Sequence, residues 1–442
     1  MFSFKTNNEL KFNADDMIAL EQNFAAAGYI DSVGKENIMP SFVGVSLADG
    51  ASRAGAYRGD AAESMYKDCF TVAKEFLAYG TMQTISEENA RNLVRMAKNN
   101  GFLYIKYSAA YPKSIIVSLT DKNMFLQSIS DEFIKEIFVF YNDYIEEVCT
   151  LALSQGEEHY LYTGPFGYRE NFNKNIASEY NNIEGTFDFT FASEETDEIF
   201  VSKEKFESFI LADTIIPKGN VTLPKVGFGK LGTKFSDARV YDKVLSVFTL
   251  NPEKVSVFTE NDGTVIYYEE GQSVRISAGG EIKYSAMGNG IDIGSVIGYY
   301  VENYEYSLQD KIGATLLMAQ GITKLAGISE KASVKLSGIA YDEQGNLTIT
   351  YFFAYDGVDI SHGERAFSFT ISGNRIKEAS CALFDIYDID ESDTLPSALL
   401  QVCAYVYGAK EKSDIMPCYS YEYEGSVAAQ YHACVKSKEA LR

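Results

Sequence analysis

From about residue 255 to the C-terminus the chain keeps returning to one pattern, an alternating apolar and polar run rich in Tyr, Phe, Val and Ile that stops at a turn. The turns are Asn261-Asp262-Gly263, Gly271, Gly279-Gly280, Gln344-Gly345-Asn346, Asp356-Gly357 and Ser372-Gly373-Asn374. Asp-Gly between alternating runs is a strong hairpin signal, because a tight turn needs residues that tolerate positive φ. The pattern predicts antiparallel strands. With 31 Tyr, 29 Phe and no Trp, it points to half-buried strands whose hydroxyl ends stay wet, and so to sheets with one open face.

Helices are expected around these strands. Ser307 caps one, with Asp310 at its third position and Leu308, Ile312, Leu316 and Ala319 on one stripe. A second begins at Pro396 and runs to Gly408, since a missing N–H is harmless in a first turn. Strands are predicted at Ala332 to Tyr341, Asn346 to Tyr355, Arg365 to Ile371, Arg375 to Tyr387, Pro417 to Glu424 and Ser426 to Val435. The order of helix, strands, helix, strands is that of an α+β fold with helices on one sheet face.

Upstream, Thr186 to Phe191 reads as strand, Lys203 to Leu211 and Ala238 to Phe248 as helices, and Val255 to Tyr284 as a run of strands closed by the Gly-rich stretch 288 to 294. The first hundred residues read as helices between short strands: 14 to 27, Ala61 to Tyr79, and one capped by Ser86 with Glu87 and Glu88 and ending before Gly101. Phe102 to Tyr107 and Ser114 to Leu119 look like strands, while 131 to 141 is ambiguous between helix and buried strand. Residues 165 to 185 form a linker. Three domains are expected: 1–165 mixed, 185–290 α+β, and 291–442 α+β.

Of 442 residues, 39 are Lys or Arg and 62 are Asp or Glu, a net charge of −23. That charge repels phosphate backbones and anionic lipid, so nucleic acid and acidic membrane surfaces are poor partners. No window approaches the ~20 apolar residues of a spanning helix, and residues 1 to 13 lack the order of a signal peptide.

No catalytic constellation emerges. Gly227-Phe-Gly229-Lys-Leu-Gly232 matches G-x-G-x-x-G, but Pro224 interrupts the expected strand and no parallel β-α units surround it, so a loop is expected. The acidic run Asp385 to Asp393 lacks the glycine and terminal Glu of a calcium loop and is read as a solvated loop. His159, His362 and His432 stand far apart, without metal or triad spacing. Cys69, Cys149, Cys381, Cys403, Cys418 and Cys434 are read as small apolar residues, with one bridge among the last four left open. No cofactor and no metal are expected. Tyr419, Tyr421 and Tyr423 alternate along one strand and are the candidate binding residues of a second reading, a cell-wall glycan or peptide module. A hydrolase with an unrecognised carboxylate pair is the third, although no spacing selects two acids.

The stretch Val247-Phe-Thr-Leu-Asn-Pro252, Val255 to Phe258, Asn261-Asp-Gly-Thr264, Tyr267, Gly271-Gln-Ser-Val274 and Gly280-Glu-Ile-Lys-Tyr284 resembles the YycH family of extracytoplasmic regulators in Gram-positive bacteria. Ile349-Thr-Tyr-Phe-Phe, Gly357-Val-Asp-Ile360, Gly373-Asn-Arg-Ile376 and Ile415-Met-Pro-Cys-Tyr-Ser-Tyr421 look like the related YycI type, with Tyr in place of that family's Trp. The resemblance implies a three-domain extracytoplasmic part on an N-terminal membrane anchor, expected upstream of Met1. It also implies control, by contact and without catalysis, of a sensor histidine kinase in a cell-wall two-component system, alongside a YycI-like accessory protein.

Overall fold

The computed structural model describes residues 40, 42–48, 52–56, 73–118, 132–154, 158–164, 172, 187–191, 215–218, 221–230, 238–277, 279–298, 304–326, 328–329, 331–355, 358–361, 366–382, 384–395, 413–422 and 426–435. Its first half is built on strands β1 (Phe42–Ser46), β2 (Ser52–Ala56), β3 (Thr81–Ser86), β4 (Phe102–Pro112), β5 (Phe133–Asn142), β6 (Glu147–Leu153), β7 (Glu158–Thr163), β8 (Phe187–Phe191) and β9 (Ile215–Lys218). Helix α1 (Glu87–Asn100) follows β3 and helix α2 (Lys113–Ser118) follows β4. These strands form one antiparallel sheet in the order β3-β7-β6-β5-β4-β1-β2-β8-β9. Among the described residues of the N-terminal segment, expected as helical and mixed, the sheet predominates beside α1, α2 and helical residues 73–79.

The second half contains β10 (Val221–Lys230), α3 (Ala238–Val247), β11 (Ser256–Thr259), β12 (Val265–Glu269), β13 (Gln272–Ile276), β14 (Glu281–Ala286), β15 (Ile291–Asp292), α4 (Ile293–Ile297) and α5 (Leu308–Leu325). It continues with β16 (Ala332–Tyr341), β17 (Leu347–Tyr355), β18 (Val358–Ser361), β19 (Phe367–Ser372), β20 (Arg375–Ala382), β21 (Phe384–Leu395), β22 (Ser413–Glu422) and β23 (Ser426–Val435). The second sheet runs β11-β12-β13-β14-β20-β19-β17-β18-β22-β23, with β15 beside β20 and β16 beside β17. Its pairs are antiparallel except β18 with β22. Pairing of β14 with β20 brings the 255–286 strands and the C-terminal strands into one sheet. The likeness to an α+β arrangement holds: antiparallel sheets with few helices.

The two sheets differ in how they are covered. In the second, Phe367, Phe369 and Ile371 are buried while Ser368 and Thr370 are half-buried, the alternation of a sheet with one covered face. That face carries α5, which packs against α3 and α4. Phe248 stacks on Tyr284 at 5.3 Å, and the Thr315 and Tyr351 hydroxyls meet at 2.7 Å. Ser307 caps α5 in a full capping box with Asp310, as expected.

In the first sheet β4 and β5 are buried along almost their whole length. One face packs under α1 through Phe102, Tyr104, Phe138, Phe140 and Leu151. The other carries Leu103, Ile105 and Val139 into a core with helical residues 73–79 and α2. Burial on both faces erases the period of two, which is why 131 to 141 was ambiguous; it is strand.

Three expectations are corrected. Ser114 to Leu119 is not a strand but lies largely in α2, where Ile115, Ile116 and Val117 are all buried; a short wholly apolar run fits either geometry. The glycine motif at 227 is no loop: Gly227, Gly229 and Lys230 lie in β10, paired with β21, and Pro224 sits at a register irregularity. A Cβ on Gly227 would meet the Tyr387 ring at 2.2 Å, so the glycine admits a cross-strand aromatic. The acidic run is likewise strand β21, whose Glu391 pairs with Lys225 of β10 at 2.8 Å. Cross-strand partners override the weak strand preference of Asp. The expected helices at 14 to 27, 203 to 211 and Pro396 to Gly408, and residues 61–72 of the helix before Gly80, lie outside the described residues.

The sheets meet where each is irregular. Register shifts occur in β4 between Lys106 and Tyr111 and in β16 between Leu336 and Gly338. There the Leu336 carbonyl accepts from Ser108 Oγ at 2.9 Å, and the Leu336 N–H donates to Tyr111 Oη at 3.3 Å. Leu336 is buried, so losing that acceptor leaves an unsatisfied N–H. Tyr111→Phe is expected to lower unfolding stability by about 1–3 kcal/mol, measured by urea denaturation; no loss would mean that apolar contact alone joins the sheets.

Candidate functional site

The strand-to-helix corner at the free edge of the first sheet shapes an open groove. Ser86 ends β3 and caps α1, accepting the Asn89 N–H at 3.4 Å. The helix then lays Ala90, Leu93, Val94, Met96 and Ala97 on the sheet and leaves Asn89, Asn92, Arg95 and Asn99 exposed. Between this polar flank, β3, β7 and the β5–β6 turn lies a groove of about 740 Å³. Ile85, Leu93, Met96 and Leu161 form its apolar floor.

The turn forms its far wall and is held from α1. Asn100 Nδ2 donates to the Tyr141 carbonyl at 3.0 Å and to Asp143 Oδ2 at 2.8 Å. The Asp143 N–H reaches Met96 Sδ at 3.4 Å. The Tyr144 N–H donates to Asn142 Oδ1 at 3.0 Å, and Glu146 completes the turn at φ 52°. This scaffold presents the Tyr144 ring 84% exposed. Ile145 beside it, and Met82 and Tyr79 near the free edge, are also exposed. Carboxamides, one Arg, one Asp and an aromatic around an apolar floor can recognise a surface.

Beneath the other face lies a buried ionic cluster. Lys113 Nζ and Glu132 Oε2 stand 2.6 Å apart, both nearly inaccessible. Tyr162 Oη donates to the same carboxylate oxygen at 2.6 Å, and Lys113 Nζ lies 5.2 Å from the Tyr162 ring centre. Burial, followed by this hydrogen bond and the carboxylate charge, pushes the Tyr162 hydroxyl well above its ordinary value. The cluster ties α2, the start of β5 and β7 together; it is closed to substrate.

The sequence-selected residues do not assemble. His159 is buried opposite Ile85, and its Nδ1 accepts the Ser154 N–H at 3.2 Å, which leaves the proton on Nε2. His432 lies in β23 opposite Met416, and His362 lies outside the described residues. Burial pushes the Cys149 thiol up to about 12, against a pull from Asn142, and pushes Cys381 up as well; both are free and buried. Cys418 and Cys434 lie four positions apart on the β22–β23 ladder, opposite Gln430 and Asp414. At ~3.3 Å per residue they are too distant to bridge. Cys69 and Cys403 lie outside the described residues. Tyr419 and Tyr421 occupy alternate positions of β22, opposite Ala429 and Val427; Tyr423 lies outside the described residues. Among the described residues no three His, Cys, Asp or Glu side chains converge on a metal position, and no helix is long and apolar enough to cross a membrane.

Sequence reasoning missed the groove. The polar positions 89, 92 and 99 are legible as one helical stripe, but a stripe of amides reads as a solvated face until β3 and the turn at Tyr144 are placed beside it.

No protein-family model matches this chain, and no curated protein matches it. Among solved structures the fold is similar to that of YycH from Bacillus subtilis: TM-score 0.54, 11% identity, 92% of this chain and 97% of that chain covered. The chain thus has a YycH-like fold, without a sequence-level match beside it.

Two outcomes test the buried groups. Glu132→Gln strands the Lys113 charge and is expected to cost about 3 kcal/mol or more. Replacing the cluster together, by Lys113→Met, Glu132→Leu and Tyr162→Phe, is expected to recover most of that loss in urea denaturation. For His159, burial first lowers the pKa from 6.5, while Glu87 and Glu136 pull it back up. The unfolded chain therefore takes up the proton first. The stability contributed by the neutral ring is full above about pH 6.5 and is lost as pH falls through the lowered value. His159→Gln is expected to flatten this acid-side loss when denaturation curves at about pH 7.5 and 5.5 are compared.

Proposed function

We propose that this chain is a non-enzymatic regulatory protein that works outside the cytoplasmic membrane of a Gram-positive cell. By contact it modulates a membrane sensor histidine kinase of a cell-wall two-component system, together with a YycI-like accessory protein. In this reading an N-terminal anchor attaches it to the membrane. The observation that carries the reading is the YycH-like fold over 92% of this chain and 97% of the other. The groove beside α1 supports it, because an apolar floor ringed by carboxamides, one Arg, one Asp and an exposed aromatic suits recognition of a surface.

Three segments, 1–165, 185–290 and 291–442, are the proposed units of this assembly, the second and third sharing a sheet through β14 and β20. A second reading takes Tyr419 and Tyr421, at alternate register positions of β22, with Tyr423 as a glycan- or peptide-binding strand; retention on peptidoglycan, lost in Tyr421→Ala, would mark it.

The main reading is tested by capture of sensor-kinase ectodomains and accessory proteins on the immobilised chain. Capture is expected, and Tyr144→Ala with Asn92→Ala is expected to weaken it roughly tenfold, about 1.4 kcal/mol, as for a contact residue at an interface centre. The melting temperature should stay unchanged. No capture of any histidine-kinase ectodomain would overturn the function, and capture indifferent to both substitutions would move the contact away from the groove.

A further inference from the structure

Among the described residues, β3 is bonded to β7 only. It keeps regular register over its six residues, from Thr81 opposite Thr163 to Ser86 opposite Glu158, and Thr81, Met82, Gln83 and Thr84 are exposed. Sheet edges are usually blunted by Pro, Lys or a bulge, because a bare edge is a template for another strand; β3 has none of these. Side chains alternate across it. Gln83 and Ile85 turn to the groove beside α1, so Met82 and Thr84 turn to the opposite face, where residues 73–79 pack. Apolar surface therefore flanks the edge on both sides: Ile85, Leu93, Met96 and Leu161 in the groove, and Met82, 40% accessible, with Tyr79, 61%, behind it. An extended chain suits this arrangement, since it meets a strand edge with its backbone while sending alternate side chains to two faces. A helix would use one face only, and a sugar would leave the ladder unmet.

Charge narrows the occupant further. Where β3 ends and α1 begins stand Glu87, Glu88 and Glu158; Arg91 pairs with Glu87, and Glu88 and Glu158 face solvent. Toward the other end, Thr81, Thr163, Cys149 and Phe140 form one row across β3, β7, β6 and β5. Just beyond that row the β5–β6 turn exposes Asp143, Glu146 and Glu147. Between these acidic ends the groove's lining carries one charge, Arg95. A segment with a cation beyond each end meets carboxylates whichever way it runs. Exposed ion pairs add little affinity, so they select the partner and speed encounter, while backbone pairing and apolar contact hold it.

We propose that β3 takes up an extended segment of the regulatory partner as a further strand of the first sheet. The segment matches the six residues of β3, is apolar at alternate positions, and carries Lys or Arg just past each end. One set of its side chains enters the groove and the other lies against Met82. This rests on the regulatory reading, whose contact site it deepens by naming what that site recognises.

The probe is a fluorescent synthetic peptide of Val-Thr repeats as long as β3, flanked by Lys at each end. It is titrated with the full chain and followed by anisotropy at ~0.1 M ionic strength, where charges interact over about 10 Å. Saturable binding is expected, weakened roughly tenfold or more when Glu replaces both lysines. The same peptide N-methylated at every Val and Thr keeps its charge but loses its donors and should not bind, which separates strand pairing from mere attraction to a chain of net charge −23. Met82→Lys with Thr84→Lys, at exposed positions of β3, should remove binding while the melting temperature holds. No binding to the wild-type chain, binding that survives N-methylation, or binding indifferent to the two lysine substitutions would each overturn the proposal. None of these results needs a histidine kinase, so the regulatory reading stands or falls separately, on ectodomain capture.

Discussion

The backbone of Leu336 is the joint on which the arrangement depends. Its carbonyl and N–H are claimed by Ser108 and Tyr111 of the other sheet, at the point where both β4 and β16 lose regular register. A bulge frees backbone groups from their own ladder, and buried backbone groups must find partners. Leu336 finds its partners in two side chains of β4, Ser108 and Tyr111. One apolar core runs through the joint, from Val43 and Tyr107 on one side to Ile349 and Phe369 on the other.

From that joint follows the unequal character of the two halves. The first sheet is enclosed by α1 on one face and by the shared core on the other, so charged groups trapped inside it must pair; Lys113, Glu132 and Tyr162 do so. The second sheet alternates buried and half-buried residues along β19, while its β16 and β17 are buried on both faces close to the joint. Away from the joint it is built of alternating strands, a capped helix, and glycines where the chain turns. Surfaces available for recognition lie at the margins, at the groove beside α1 and along the terminal strand β3, far from the enclosed centre. A fold organised this way is suited to contact.

Legibility in the sequence followed local chemistry. Strands β11 to β14, β16, β17, β19, β20 and β23 were readable because alternation and Asp-Gly or Gly-Asn turns act over a few residues. Helices α1 and α5 were readable from their caps and stripes. Strand β5 was ambiguous and α2 misread because burial on every side removes the contrast on which periodicity depends. Strands β10 and β21 were missed for a related reason: Gly227 and the acidic run are poor strand formers alone and are held by each other, through Tyr387 and the Lys225–Glu391 pair. The groove was invisible because its walls come from segments some fifty residues apart, and only their apposition makes a surface of Asn89, Asn92 and Tyr144.

By itself, then, the sequence determined the antiparallel, turn-punctuated character of the chain, the capped starts of α1 and α5 and its strongly anionic charge, since each depends on neighbours within a turn or on a sum over residues. Tertiary structure alone decided which strands share a sheet, which glycine admits an aromatic ring, which carboxylate stays buried beside a lysine, and which edge is left bare. Those outcomes depend on contacts between residues as distant as Tyr111 and Leu336. A partner brought in across that separation can satisfy or bury a group in a way that no local pattern encodes.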